Sequence, residues 1–137
     1  MGCVARVKLL LDTHIWLWSV ISPKRIPRRA AREIESARNE LWLSPMSVWE
    51  TALLLERGRL KVKGDPLRWL DQMLAASVFR EASFTRDVAT RAAEVRLPHR
   101  DPADRLLVAS ALVHGLTLVT ADQQLLDKAP CAVLRER

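Results

Sequence analysis

The sequence predicts an α/β domain of three layers, with a central, mainly parallel sheet of about four to five strands flanked by helices. Three observations lead there. Short apolar runs alternate with stretches of helical periodicity along the chain. The first run, Val7-Lys8-Leu9-Leu10-Leu11, is apolar apart from Lys8 and stops at Asp12, the pattern of a strand covered on both faces in a parallel sheet. At 137 residues the chain has the length of one domain, and area scaling buries about two-thirds of its unfolded surface, so one core suffices.

The elements follow in order. After the strand at 7–11, Thr13 to Val20 reads as a short, densely apolar helix that Ser22-Pro23 breaks. Pro27 opens an amphipathic helix to about Arg38, with Ala30, Ala31, Ile34 and Ala37 on one face. Leu41-Trp42-Leu43 is a short strand, and Ser44-Pro45 then caps and starts a helix that Gly58 ends. Asp65-Pro66 repeats that start signal for a helix to about Ala75, and Val78 to Ala82 is a weaker strand. Thr85 caps a helix carrying Val88, Ala89, Ala92 and Val95 until Leu97-Pro98 stops it. Asp101-Pro102 starts the clearest helix, Ala103 to His114, closed by Gly115. Thr117 to Thr120 is a buried strand, Asp122 to Asp127 a short helix, and Cys131 to Leu134 a final strand.

Composition narrows the class. With 49% apolar and 28% charged residues the chain is an ordinary globular domain, not a disordered one. Its 22 Lys and Arg against 16 Asp and Glu give a net +6 and a pI near 10.1, which suits a polyanionic partner. An Arg-favouring codon composition would produce the same excess, so charge alone decides little. Cys3 and Cys131 form neither a disulfide framework nor a zinc spacing, as expected of a cytoplasmic protein. Asp12 and His14 interrupt the apolar opening, which is no signal peptide and too short to span a bilayer, so no membrane association is expected. Arg6 stands where a myristoylation start requires Ser or Thr. Residues 1–6 are read as an N-terminal extension and 7–137 as the single domain.

In open α/β sheets the functional crevice lies beyond the carboxyl ends of the strands. Asp12 follows the first strand, Asp122 lies just past Leu118-Val119-Thr120, and Glu50 comes early in the helix after Leu41-Trp42-Leu43. Asp104 lies in the first turn of the helix begun by Pro102, where the helix dipole favours an anion. Each has an innocent reading, because Asp101 and Asp104 also suit an N-cap and a first-turn acid, and Glu50 a solvated helix face. Together they would converge on one end of one sheet. Two carboxylates about 4 Å apart repel by roughly 4 kcal/mol at an effective dielectric of 20, so such a cluster calls for a divalent cation. An all-oxygen donor set suits Mg²⁺ or Mn²⁺ and hydrolysis of a phosphodiester.

The segments LLLDTHIWLW at 9–18, SPMSVWETALLLERGRL at 44–60, LPHRDPADRLLVASAL at 97–112 and LTLVTADQQL at 116–125 resemble the four acidic motifs of the PIN-domain nucleases. More narrowly, they resemble the VapC-type toxins of bacterial toxin–antitoxin modules. The resemblance runs in order from about Val7 to Leu134, nearly the whole chain. It implies a PIN-like fold and a metal-dependent endoribonuclease acting on tRNA, rRNA or mRNA, with Asp12, Glu50, Asp104 and Asp122 as the acid quartet and Asp101 as a further acid. In that reading Asp12 and Asp104 are direct ligands of Mg²⁺ (or Mn²⁺), Asp122 a direct or water-mediated ligand, and Glu50 the acid that orients or deprotonates the attacking water. It also implies a cognate VapB-like antitoxin lying across an apolar groove, and a homodimer.

Around the quartet, Thr13 and Thr120 are placed to bond carboxylates or to cap the following helices, Ser47 likewise, and Arg105 to touch phosphate or balance the acids. Basic residues group at Lys24 to Arg32, at Arg57, Arg59, Lys61 and Lys63, and at Arg96 and Arg100. The last two groups flank Glu50 and Asp104 and are the expected RNA contacts, against the plainer reading of solvated faces. Trp16, Trp42, Trp49 and Trp69 are read as core or groove lining, with Trp18 and parts of the 45–60 helix as candidates for exposure at a partner site; no His triad or zinc set is present, and His14 reads as a residue of helix packing or one supporting the acids from behind. Three other classes compete. A phosphorylation-receiver domain needs paired acids after the first strand and a late Lys at a strand end, which Asp12 alone and Lys128 do not supply. A non-catalytic RNA-binding PIN scaffold would not need all four acids, and a PIN nuclease of RNA maturation differs from a toxin in nothing the chain displays.

Overall fold

The strand Lys8–Leu11 (β1) forms the centre of the molecule, and Leu9, Leu10 and Leu11 are all fully buried. The computed structural model describes residues 6–98 and 101–135. Because strand side chains alternate, Leu10 faces one apolar layer while Leu9 and Leu11 face the other. Three more strands, Glu40–Leu43 (β2), Arg80–Glu81 (β3) and Thr117–Val119 (β4), complete a parallel sheet in the order β3-β2-β1-β4.

Helices Thr13–Ile21 (α1), Arg28–Glu35 (α2), Pro45–Glu56 (α3) and Pro66–Ala76 (α4) supply the layer over Leu9 and Leu11, which contains Trp16, Ile26, Ala30, Leu55 and Leu70. Helices Arg86–Glu94 (α5), Pro102–His114 (α6) and Gln123–Lys128 (α7) supply the opposite layer through Val88, Ala92, Leu107, Val108, Ala111 and Leu125. The predicted three layers are therefore present, and the sheet has four strands, the lower of the four to five expected. Since β2 and β3 lie on one side of β1 and β4 on the other, the connections leaving β1 and β4 run to opposite faces. That divergence opens a crevice between the carboxyl ends of β1 and β4.

Most predicted boundaries hold within a residue or two, and the exceptions have local causes. The helix expected to reach Arg38 stops at Glu35, with Ser36 extended and Asn39 donating to the Glu33 carbonyl at 2.9 Å. Pro27 is its N-cap rather than its first helical residue. Helix α5 ends at Glu94, with Val95 already extended, ahead of the predicted Leu97-Pro98 stop. The weak strand at 78–82 shrinks to two residues, and Val78 is almost wholly exposed. The expected strand at Cys131 to Leu134 is reduced to one parallel bridge, Val133 to Leu118. Trp49, on the 45–60 helix, is exposed and lines an apolar groove as expected, whereas Trp18 is partly buried. Gly115 closes α6 in the left-handed conformation at φ 67°, which a side chain would strain. Among the described residues no helix is long and apolar enough to cross a membrane.

Candidate active site

Asp12 is the first residue past β1, and its N–H still bonds to the Val119 carbonyl at 3.0 Å, continuing the ladder with β4. The chain then turns into α1, and Asp12 is its N-cap: Oδ1 accepts from Ile15 N–H at 2.8 Å. Oδ2 accepts a short hydrogen bond from the Thr120 hydroxyl across the β1–β4 seam. Thr120 in turn accepts the Asp122 N–H at 3.0 Å, and Asp122 caps α7 through Oδ1, which accepts from Gln124 and Leu125. One buried hydroxyl thus ties the acids that follow β1 and β4.

A second hydroxyl performs the equivalent task on the α1–α3 side. Thr13 Oγ1 lies 2.7 Å from Glu50 Oε1 and 2.9 Å from Ser47 Oγ. A threonine has one proton to give, so Thr13 donates it to the carboxylate and accepts from Ser47. Ser47 and Thr13 are buried, and Glu50 projects past them into the crevice. Helix α6 closes the third side, with Asp101 as its N-cap, accepting from Ala103 N–H at 3.0 Å, and Asp104 in its first turn. Asp12, Glu50, Asp101, Asp104 and Asp122 all line one cleft of about 330 Å³, together with Thr13, His14, Trp18 and Met46.

Electrostatics follow from that crowding. Burial pushes the Asp12 carboxyl above the usual carboxylate range, against the Thr120 and Ile15 hydrogen bonds, and the Asp122 charge adds to the rise. Glu50 is raised by burial as well, with Asp101 and Asp104 reinforcing it and the Thr13 hydrogen bond opposing. His14 lowers both carboxyl values. Among the described residues no three His, Cys, Asp or Glu side chains close into a compact ligand cage. The donors are instead carboxylate oxygens distributed around a cleft. Mg²⁺ suits such a set, since it retains several waters and takes one or two carboxylates from the protein.

All four acids of the quartet, Asp101, Thr13, Ser47 and Thr120 therefore meet at or directly behind one cleft. The basic residues do not follow. Arg105 donates from Nη2 to the Ala93 carbonyl at 3.1 Å, and Arg96 donates to the same oxygen at 2.9 Å, so both serve the last turn of α5. Arg57, Arg59, Lys61 and Lys63 are exposed from the C-terminal end of α3 onward and do not line the cleft, and Arg100 lies outside the described residues. Two residues that the sequence places in helix packing, behind the acids or at a partner surface, His14 and Trp18, line the cleft itself. Their signal was their spacing: two and six positions beyond Asp12, they share one face of α1.

Comparison with known proteins agrees with this geometry. Residues 9–130 match the PIN domain family. Ribonuclease VapC22 of Mycobacterium tuberculosis (strain ATCC 25618 / H37Rv) is 39% identical over 120 residues, covering 85% of this chain and 88% of that protein. The structure of FitAB bound to an IR36 DNA fragment shares the fold with a TM-score of 0.70 at 23% identity, covering 93% of this chain and 94% of that one. FitAcB from Neisseria gonorrhoeae superposes with a TM-score of 0.68 at 27% identity, over 93% of this chain and 97% of that chain. The acids at the strand ends, the parallel sheet that places them and these likenesses agree: the chain belongs to the PIN domain family, in its VapC ribonuclease branch.

Proposed function

We propose that the protein is an Mg²⁺- or Mn²⁺-dependent endoribonuclease that hydrolyses RNA phosphodiester bonds, the toxin of a VapBC-type pair held in check by a VapB-like antitoxin. The observation that carries this reading is the convergence of Asp12, Glu50, Asp104 and Asp122 on one cleft beyond the strand ends. Asp12 and Asp104 would hold the cation, with Asp122 completing the set directly or through water. When bound, the metal neutralises the carboxylates, activates water and offsets charge developing on the phosphate oxygens.

The protein's own groups account for the rest. Asp12 is fixed at both oxygens by the Ile15 N–H and the Thr120 hydroxyl, so its position does not depend on a ligand. Glu50 is steadied at Oε1 by Thr13, and its raised pKa brings it nearer to working pH, as a group that takes a proton from the attacking water requires. Asp101 adds negative charge at the rim while capping α6.

Asp12→Asn and Asp104→Asn should each lower Mg²⁺-stimulated cleavage of total cellular RNA by more than about a hundredfold, with circular dichroism unchanged. Full metal-dependent cleavage by both purified variants would overturn the assignment.

A further inference from the structure

Arg96 and Arg105 are spent on α5, and Arg57, Arg59, Lys61 and Lys63 do not line the cleft, so RNA must be held beside it by other groups as well. Helix α1 offers an answer. His14 and Trp18 stand one turn apart, with ring centroids 6.2 Å apart and planes tilted by 58°, and both line the acidic cleft. The Arg25 guanidinium lies over the Trp18 ring, 4.7 Å from its centroid. An imidazole, an indole and a guanidinium therefore form a row that leaves the cleft at Asp12 and reaches the 3₁₀ turn at Pro23–Arg25. Beyond it, Lys24, Arg25, Arg28 and Arg32 are exposed, and no acidic residue occurs between positions 22 and 32. Among the described residues Arg25 has no carboxylate partner, so its charge is available to a ligand. Arg29 is occupied in part by the Arg135 carbonyl at 2.7 Å.

Aromatic and guanidinium planes in series, next to a phosphodiester-cleaving centre and continuous with a basic surface, are what an unpaired nucleotide recognises. Bases stack on such planes while cations follow the backbone. Six residues of helix separate Asp12 from Trp18, about 9 Å along the axis, within reach of a nucleotide neighbouring the one whose phosphate is cut. We infer that His14, Trp18 and Arg25 form a base-stacking subsite for single-stranded RNA, and that the exposed cations of the 3₁₀ turn and α2 carry the strand away from the cleft. This deepens the proposed ribonuclease reading and rests on it. It shifts the expected RNA contact from residues 57–63 and 96–100 to residues 24–32.

The test separates stacking from charge. In an Asp104→Asn background with EDTA, fluorescence anisotropy compares a labelled single-stranded A9 RNA with a ribose-phosphate nonamer of equal charge that lacks bases. The parent should bind A9 about tenfold more tightly than the abasic chain. Trp18→Leu, which keeps an apolar side chain but removes the ring, should abolish most of that preference, and His14→Ala, an exposed change that leaves the core intact, should reduce it about threefold. Equal binding of the two probes by the parent, or a preference retained in a folded Trp18→Leu protein, overturns the subsite. If Trp18→Leu does not fold, an unchanged preference in His14→Ala overturns it. Cleavage of RNA by the wild-type chain is scored separately: its absence refutes the ribonuclease reading, whereas cleavage without base preference refutes the subsite alone.

Discussion

Helices α4 and α6 begin with the same two residues, Asp65-Pro66 and Asp101-Pro102, and in each the Asp side chain accepts a first-turn N–H at 3.0 Å. The start of α4 does nothing more. It follows the far end of α3, and Asp65 is absent both from the cleft and from the charges acting on Asp12 and Glu50. The start of α6 lies at the carboxyl end of the sheet, where Asp101 lines the cleft and raises the Glu50 pKa. The same Asp-Pro start thus yields a cap in one place and a wall of a reactive crevice in the other. What separates them is the distance to other carboxylates, which no capping rule encodes.

The sharpest way to break this comparison is to remove both caps and measure cleavage. Asp101→Ala should lower kcat/KM for RNA about tenfold, while Asp65→Ala leaves it unchanged, because Asp101 alone faces the acids that handle the reaction. Equal effects on cleavage would erase the distinction. Chemical denaturation should show the complementary result. Each substitution should cost about 1 kcal/mol of stability, the ordinary worth of an N-cap, since each Asp makes one capping bond of equal length.

A smaller effect sharpens the contrast through pH. Asp12 also caps a helix, but burial raises its folded-state pKa. A carboxyl with a raised folded value binds its proton more tightly when folded. Its stabilising contribution is therefore present below the unfolded pKa and lost as pH rises through the folded one. In EDTA, the stability of Asp12→Asn relative to the parent should improve as pH rises across that interval, and added Mg²⁺ should then favour the parent. A difference in melting temperature that is flat with pH would show that the Asp12 charge is not costly in the folded protein.

Elements with local punctuation were legible in the sequence. Ser44, Asp65, Thr85 and Asp101 all cap the helices their positions predict, because an N-cap is decided within three residues, whereas Asp122, expected as the first helical residue, is itself the N-cap of α7. Elements that depend on partners were less legible. Helix α2 ends where Asn39 reaches back to the Glu33 carbonyl, and Cys131 to Leu134 fails as a strand because it meets β4 at one bridge only. Asp12 and Asp122 were legible because the end of an apolar strand is visible in sequence, and Asp104 because Asp101-Pro102 marks the start of its helix. His14 and Trp18 were not, since an imidazole and an indole within an apolar helix read equally well as packing.

The sequence by itself determined the alternation of strands and helices, the acids stationed at strand ends and the excess of basic residues. Setting the quartet aside leaves 22 basic against 12 acidic residues, a basic exterior around a small acidic centre. Only the tertiary structure decided which groups meet. Thr120 reaches Asp12 across 108 positions and Thr13 reaches Glu50 across 37. The physical reason is that desolvation and Coulomb forces depend on separation in space. The order of strands in the sheet sets those separations, and with them which caps remain caps and which become part of the site.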